Sequence, residues 1–211
     1  MNRPAPGLLK ARKSPRQARS TATVEAIHAA TIQVLLRAGV SKLTTTRVAE
    51  RAGVSVGTMY QYYPHKQALL FAVLERQLKL IGAAMQRAVA RLHGSDVATV
   101  AEGLALAWLD AKTSDIVASR AIYGIAAEFD VGEGMQRAMT QMVQAIADVL
   151  GAAPDARFGD IQSAAFMTAA MLAGSVRVVL ETHASTQDLE RLRRELPRAC
   201  QAYLAFANSA G

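Results

Sequence analysis

The chain has 211 residues, 51% hydrophobic and 19% charged, enough to bury a sizeable core in one or two domains and too apolar for a disordered tail. Its single cysteine, Cys200, leaves no intrachain disulfide and no CxxC zinc pair, which fits a reducing compartment. The net charge of +7 is unevenly placed: residues 1–66 hold eleven Lys/Arg against Glu25 and Glu50 alone, whereas residues 67–211 hold thirteen against fifteen Asp/Glu. A polyanion-binding module joined to a larger near-neutral domain produces such a split, and so does a solvated basic tail.

The first ten residues offer only Leu8-Leu9 where a secretory signal needs an apolar core, so the expected location is cytoplasmic. Arg12, Lys13, Arg16 and Arg19 follow in a segment without helix signals. Residues 1–19 are expected to be a flexible basic arm that lies along a DNA backbone or enters the minor groove, the alternative being a soluble leader. Val24, Ile27, Thr31, Val34, Leu35 and Ala38 then share one helical face, and Gly39 stops a first helix over about 20–38.

The next stretch is dense with punctuation. Thr44 is placed to cap Thr45–Ala52, Gly53 to make a left-handed turn, and Ser55 to cap a second helix from Val56 to about Tyr62. Helix, glycine turn and helix over about 44–63 form a DNA-reading unit, packed internally through Val48, Ala49, Ala52, Val54 and Met59. Met59 and Tyr63 are four apart and point inward, which leaves Val56, Gly57, Tyr60 and Gln61 outward. Gly57 costs a helix about 1 kcal/mol relative to alanine, a cost explained if a phosphate or base comes close, or by mere flexibility.

After Pro64 one long helix runs through Leu69, Val73, Leu74, Ile81, Met85 and Leu92 to His93-Gly94. Ser95 or Asp96 caps another, to about Lys112, and Ser114-Asp115 the next, which buries Ile116, Ile122, Tyr123 and Phe129. A stripe from Met135 to Leu150 is closed by Gly151 and Pro154. Segments 161–180 and about 188–207 complete the chain, with a kink or break into two short helices expected at Pro197. Nothing alternates with period two. The expected fold is all-α, with about nine helices: residues 20–66 a three-helix domain containing the helix-turn-helix, and 67–211 a larger helical domain.

Residues 161–180 are long enough to cross a membrane, but Arg177 inside a span costs about 2.5–3.5 kcal/mol. A helix apolar nearly all round is otherwise buried on two sides, and Ala164, Ala165, Ala169, Ala170, Ala173 and Gly174 would let another helix approach. An oligomer interface through about 161–207 is expected, and no membrane.

Leu43-Thr44-Thr45, then Val48-Ala49-Glu50-Arg51-Ala52-Gly53-Val54-Ser55-Val56-Gly57-Thr58-Met59-Tyr60-Gln61-Tyr62-Tyr63, then Lys66 and Leu69-Leu70, resembles the TetR/AcrR family of bacterial transcriptional regulators over about residues 21–74. The resemblance implies a homodimer whose three N-terminal helices bind operator DNA and whose remainder binds a small molecule and dimerises. It implies phosphate contacts for Thr45, Thr58, Tyr60, Tyr62 and Lys66, and places Thr46, Val56 and Gln61 near base edges, with Gly57 on the same face. Physical chemistry supports part of that division: hydroxyls and a lysine neutralise phosphates without reading sequence, Gln61 can pair bidentately with adenine, and the methyls of Val56 and Thr46 can touch thymine. Where the family often has phenylalanine this chain has Tyr63, whose hydroxyl must find a partner. His65 is read as a turn residue.

For the effector, Trp108, Tyr123, Phe129, Met139, Phe166 and Met171 offer adaptable apolar surface for an apolar or amphipathic ligand, although any single such residue is more often plain core. Cys200 is read as a buried small hydrophobe. The histidines His28, His65, His93 and His183 are scattered, Gly132-Glu133-Gly134 lacks a phosphate loop's third glycine, and no nucleophile has a placed base, so neither metal, cofactor nor enzymatic activity is expected. The leading expectation is a ligand-released homodimeric repressor. Alternatives are a constitutive or activating regulator without a diffusible effector, a helical carrier or enzyme with an incidental helix-turn-helix, and a peripheral membrane protein using the basic N-terminus.

Overall fold

The computed structural model describes residues 18–126, 132–181 and 185–209. Within them every regular element is a helix: α1 Ala18–Lys42, α2 Thr45–Ala52, α3 Val56–Tyr62, α4 Lys66–Leu92, α5 Val97–Thr113, α6 Ile116–Ala126, α7 Gly132–Gly151, α8 Ile161–Glu181 and α9 Thr186–Ser209. The all-α expectation holds. Two compact units emerge, one of the described residues through Gln77 with 120–126, the other of 78–119 and the described residues from 132 onward. The side chains of Arg19 and Met135, and all of Arg12, Lys13, Arg16, Phe129 and His183, lie outside the described residues.

In the N-terminal unit α1 buries Ile27, Ala30, Thr31, Val34 and Leu35 at helical spacing. Gly39, at φ 73°, interrupts the helix before Val40–Lys42, as its place in the sequence predicts. Leu43 is then fully buried, and Thr44 Oγ1 accepts the Arg47 N–H at 3.2 Å to open α2. Gly53 (φ 67°, ψ 29°) closes α2 in the left-handed region, with the Gly53 and Val54 N–H groups donating to the carbonyls of Glu50 and Ala49. Ser55 Oγ accepts the Thr58 N–H at 3.0 Å and starts α3. His65, expected only as a turn residue, is a cap: its Nδ1 accepts the Ala68 N–H at 3.1 Å at the head of α4.

In the second unit α5 packs against α8 and α9, and α7 and α9 flank α8. Asp96 caps α5 and Asp160 caps α8, while Ser185 and Asp188 form a reciprocal capping box on α9. Asn208 near the end of α9 accepts from Arg157 N and donates to the Asp155 carbonyl, and Asp155 accepts the Val97 N–H, so one connection ties the start of α5 to the end of α9.

The chain does not break into two helices at Pro197. α9 runs unbroken from Thr186 to Ser209 and buries Leu196, Pro197, Cys200 and Leu204. A proline inside a helix costs roughly 3 kcal/mol, and burial of a continuous apolar face against α5 and α8 offsets it.

α8 is long and apolar enough to cross a membrane by length and composition, and 39% of its most apolar window is buried in the protein. Its two sides differ. Ala164, Ala165, Thr168, Ala169, Leu172 and Val176 are buried, with Thr168 Oγ1 returned to the Ala164 carbonyl at 2.8 Å. The opposite side exposes Phe166, Met167, Gly174 and Val178, with Ala170 half-buried among them.

Candidate nucleic-acid interface

The two short helices α2 and α3 present a sorted set of side chains. Inward, Val48, Ala49 and Met59 are fully buried and Tyr63 is 3% exposed, while Ala52 and Val54 are half-buried. Outward, Val56, Gly57, Tyr60 and Gln61 are exposed on α3, and Thr46 on the first turn of α2. Thr58 is half-buried, its hydroxyl 2.9 Å from Ser55 Oγ. A Cβ built on Gly57 would meet only Ser55 Oγ, at 3.8 Å, so nothing inside the protein requires glycine there.

Three sequence-named phosphate ligands sit differently from an outward-pointing donor. Tyr62 is only 7% exposed and its hydroxyl is 2.9 Å from Ser20 Oγ on α1. Its ring falls on the buried side because it stands three residues after Met59, on the same face of α3. Thr45 is 8% exposed, with its hydroxyl 3.4 Å from that of Tyr60. The Lys66 ammonium donates to the Val40 carbonyl, which spends one of its three N–H bonds and leaves two.

Behind the reading face lies a polar pair. Tyr63, whose hydroxyl the sequence requires to be satisfied, has it 2.7 Å from His28 Nε2, and both residues are buried. Burial, aided by the Arg76 charge, pushes the His28 imidazole from its ordinary 6.5 down to about 4. Burial likewise raises the Tyr63 phenol to about 12. The ring is therefore neutral at pH 7. Arg76 also reaches Glu25 across α1 and α4 at 3.5 Å.

The side chains named for an effector are spread more widely. In the second unit Trp108 is 8% exposed, its Nε1 has no hydrogen-bond partner among the described residues, and Lys112 Nζ stands 5.0 Å from its ring centroid. Burial pushes the Lys112 ammonium down to about 8. Met139 on α7 and Met171 on α8 are half-buried. Phe166 does not line an interior, since it is 56% exposed on the outward side of α8. Tyr123 is half-buried and groups with the N-terminal unit, and Phe129 lies outside the described residues. Cys200 is fully buried, its thiol pushed up to about 11, which suits a packing role.

Residues 27–73 match the family described as "Bacterial regulatory proteins, tetR family", and residues 96–204, more than half of the chain, match "Tetracyclin repressor-like, C-terminal domain". The HTH-type transcriptional repressor KstR of Mycolicibacterium smegmatis is 41% identical over 59 residues, which is 28% of this chain and 29% of that repressor. The crystal structure of a TetR-family regulator from Streptomyces coelicolor A3 superposes with a TM-score of 0.55 at 22% identity, covering 91% of this chain and 99% of that one. SmeT, solved as a complex with triclosan, superposes with a TM-score of 0.66 at 23% identity, covering 87% and 90%. Capped helix-turn-helix, helical remainder and both matched segments agree: the chain belongs to the TetR family of bacterial regulatory proteins, DNA-binding regulators of transcription.

Proposed function

We propose that the protein is a cytoplasmic homodimeric repressor that reads a two-fold operator with α3 and is released by an apolar or amphipathic small molecule bound in its second unit. The observation that carries this reading is the sorting of α3, which buries Met59 and leaves Val56, Gly57, Tyr60 and Gln61 clear of the protein. Gln61 pairs with adenine, while Val56 and Thr46 meet thymine methyls. Thr58, Tyr60 and Lys66 hold phosphates, and the space above Gly57 admits the backbone. Thr45 acts through Tyr60, and Tyr62 anchors α3 to Ser20. Arg12, Lys13, Arg16 and Arg19 extend along the flanking minor groove.

The outward side of α8, with Phe166, Met167 and Val178 around Ala170 and Gly174, together with Phe206 on α9, is where the second copy packs. An exposed cluster of large apolar side chains marks an interaction surface. Trp108, Met139 and Met171 line the effector site. The resemblance to KstR supports repression, and the triclosan complex of SmeT supports an apolar effector. Reading helices in such a dimer stand about 34–36 Å apart or a multiple of it, and about 1–3 kcal/mol of coupling suffices for 5- to 150-fold release. Sedimentation with duplex-binding assays at physiological salt is the test. A dimer that prefers its own promoter and lets go on addition of an apolar compound is expected, and a monomer that holds random and promoter DNA alike refutes the proposal.

A further inference from the structure

A cleft between α1 and α2 has no role in the reading above. It is lined by Gln33, Val34, Arg37 and Ala38 of α1 and by Arg47 and Arg51 of α2, three guanidinium groups around an apolar floor with no carboxylate among them. Gln33 and Arg37 are four apart on one helix and Arg47 and Arg51 four apart on the other, so each helix offers one turn to the cleft. Two of the arginines are held in place. Arg51 Nε donates to Gln33 Oε1 at 2.5 Å, and Arg47 Nη1 donates to the Lys42 carbonyl at 3.0 Å. Holding Arg51 by Nε leaves both of its Nη groups, the fork that matches two phosphate oxygens. Arg37 makes no hydrogen bond or ion pair among the described residues. Arg47 lies in the first turn of α2, beside the exposed Thr46, and Arg51 in its last turn, so the cleft runs along α2 from the end assigned above to DNA towards the turn at Gly53.

We propose that this cleft seats a phosphate of the operator backbone outside the bases read by α3, with Arg37 and Arg51 as its ligands and Gln33 positioning Arg51. The inference rests on the DNA-binding reading of this unit. Three like charges with no acid between them repel one another, and a phosphate relieves that repulsion while releasing counterions from the DNA. Such a contact sets register and salt dependence without carrying sequence information.

The test compares the full chain with the double variant Arg37→Gln, Arg51→Gln on operator and scrambled duplexes over a salt series, with thermal melting as the folding control. The slope of log K against log salt is expected to fall by about 0.9 for each phosphate contact removed, by the same amount on both duplexes, with base preference unchanged. A scan of operators carrying one neutral methylphosphonate places the contact. One flanking position per half-site should weaken the parent protein and leave the double variant unaffected, Gln33→Leu should lose part of the same sensitivity, and Arg37→Lys should keep most of the slope. If the folded variant shows the parent's slope and the parent's methylphosphonate profile, the cleft is not a DNA contact. Saturation of the parent by millimolar inorganic phosphate, with the DNA slopes of parent and variant equal, would assign the cleft to a free anion and overturn the backbone assignment. Failure of the parent to bind any duplex would instead remove the DNA-binding reading itself.

Discussion

Tyr63 carries a hydroxyl at a buried position where a phenyl ring would need no partner, and His28, thirty-five residues earlier, answers it at 2.7 Å. The need for a partner was legible in the sequence. Its identity was not, because His28 reads as one of four scattered histidines until α1 and the end of α3 are brought together. The burial of His28, aided by the Arg76 charge, also sets a pH response. The folded-state value of His28, about 4, lies below its ordinary 6.5, so between those limits the unfolded chain binds more protons than the folded one. The stability in question is fully present above pH 6.5 and is lost as pH falls towards 4, roughly 3 kcal/mol in all. Urea unfolding at pH 7 and pH 4.5 checks this. The double variant His28→Leu, Tyr63→Phe should show a shallower acid loss than the parent, and equal losses would place the acid sensitivity elsewhere. The neighbouring Tyr62 is the contrary lesson. The resemblance and hydroxyl chemistry assign it to phosphate, but it stands three residues after the buried Met59 on the same face of α3, and packing sets its hydroxyl 2.9 Å from Ser20 Oγ.

At the scale of elements, local chemistry and fold agree at most helix ends, with the His65 cap of α4 an exception. Thr44, Gly53, Ser55 and Asp96 cap as their types and positions predict. Gly53 stands at φ 67°, and a Cβ added there would meet no atom within 4 Å, so Gly53→Ala carries backbone strain alone. Its expected cost is about 1–2 kcal/mol. Ser55→Ala, which leaves the Thr58 N–H uncapped, should cost about 1 kcal/mol. Chemical denaturation measures both, and a Gly53→Ala variant as stable as the parent would show that α2 can close without the left-handed turn. Pro197 is where local chemistry loses. Its missing N–H predicts a kink or a break, and α9 is kept from breaking by the apolar face that Leu196, Cys200 and Leu204 bury on either side of it.

For the whole molecule the proposed dimer turns on the outward side of α8. Composition showed a helix apolar nearly all round, yet it did not separate Ala164, Ala165 and Ala169, which are spent inside the chain, from Ala170 and Gly174, which lie outward. A Cβ added at Gly174 would meet no atom within 4 Å. If the proposed dimer packs through this face, Gly174→Leu should leave helicity and the melting of the single chain intact while shifting sedimentation to the monomer and reducing affinity for a two-half-site operator to that of one half-site. A variant that remains dimeric would move the interface away from this helix. The order of residues by itself determined most of the helices and caps, the basic N-terminal end and the helix-turn-helix, because each depends on neighbours within a few positions or on periodicity along one element. Tertiary structure alone decided which partners satisfy the hydroxyls of Tyr63 and Tyr62, that Phe166 faces outward, that α9 survives Pro197, and that three arginines from two helices share one cleft. Those outcomes depend on residues far apart in the chain meeting at hydrogen-bond distance, which no local pattern encodes.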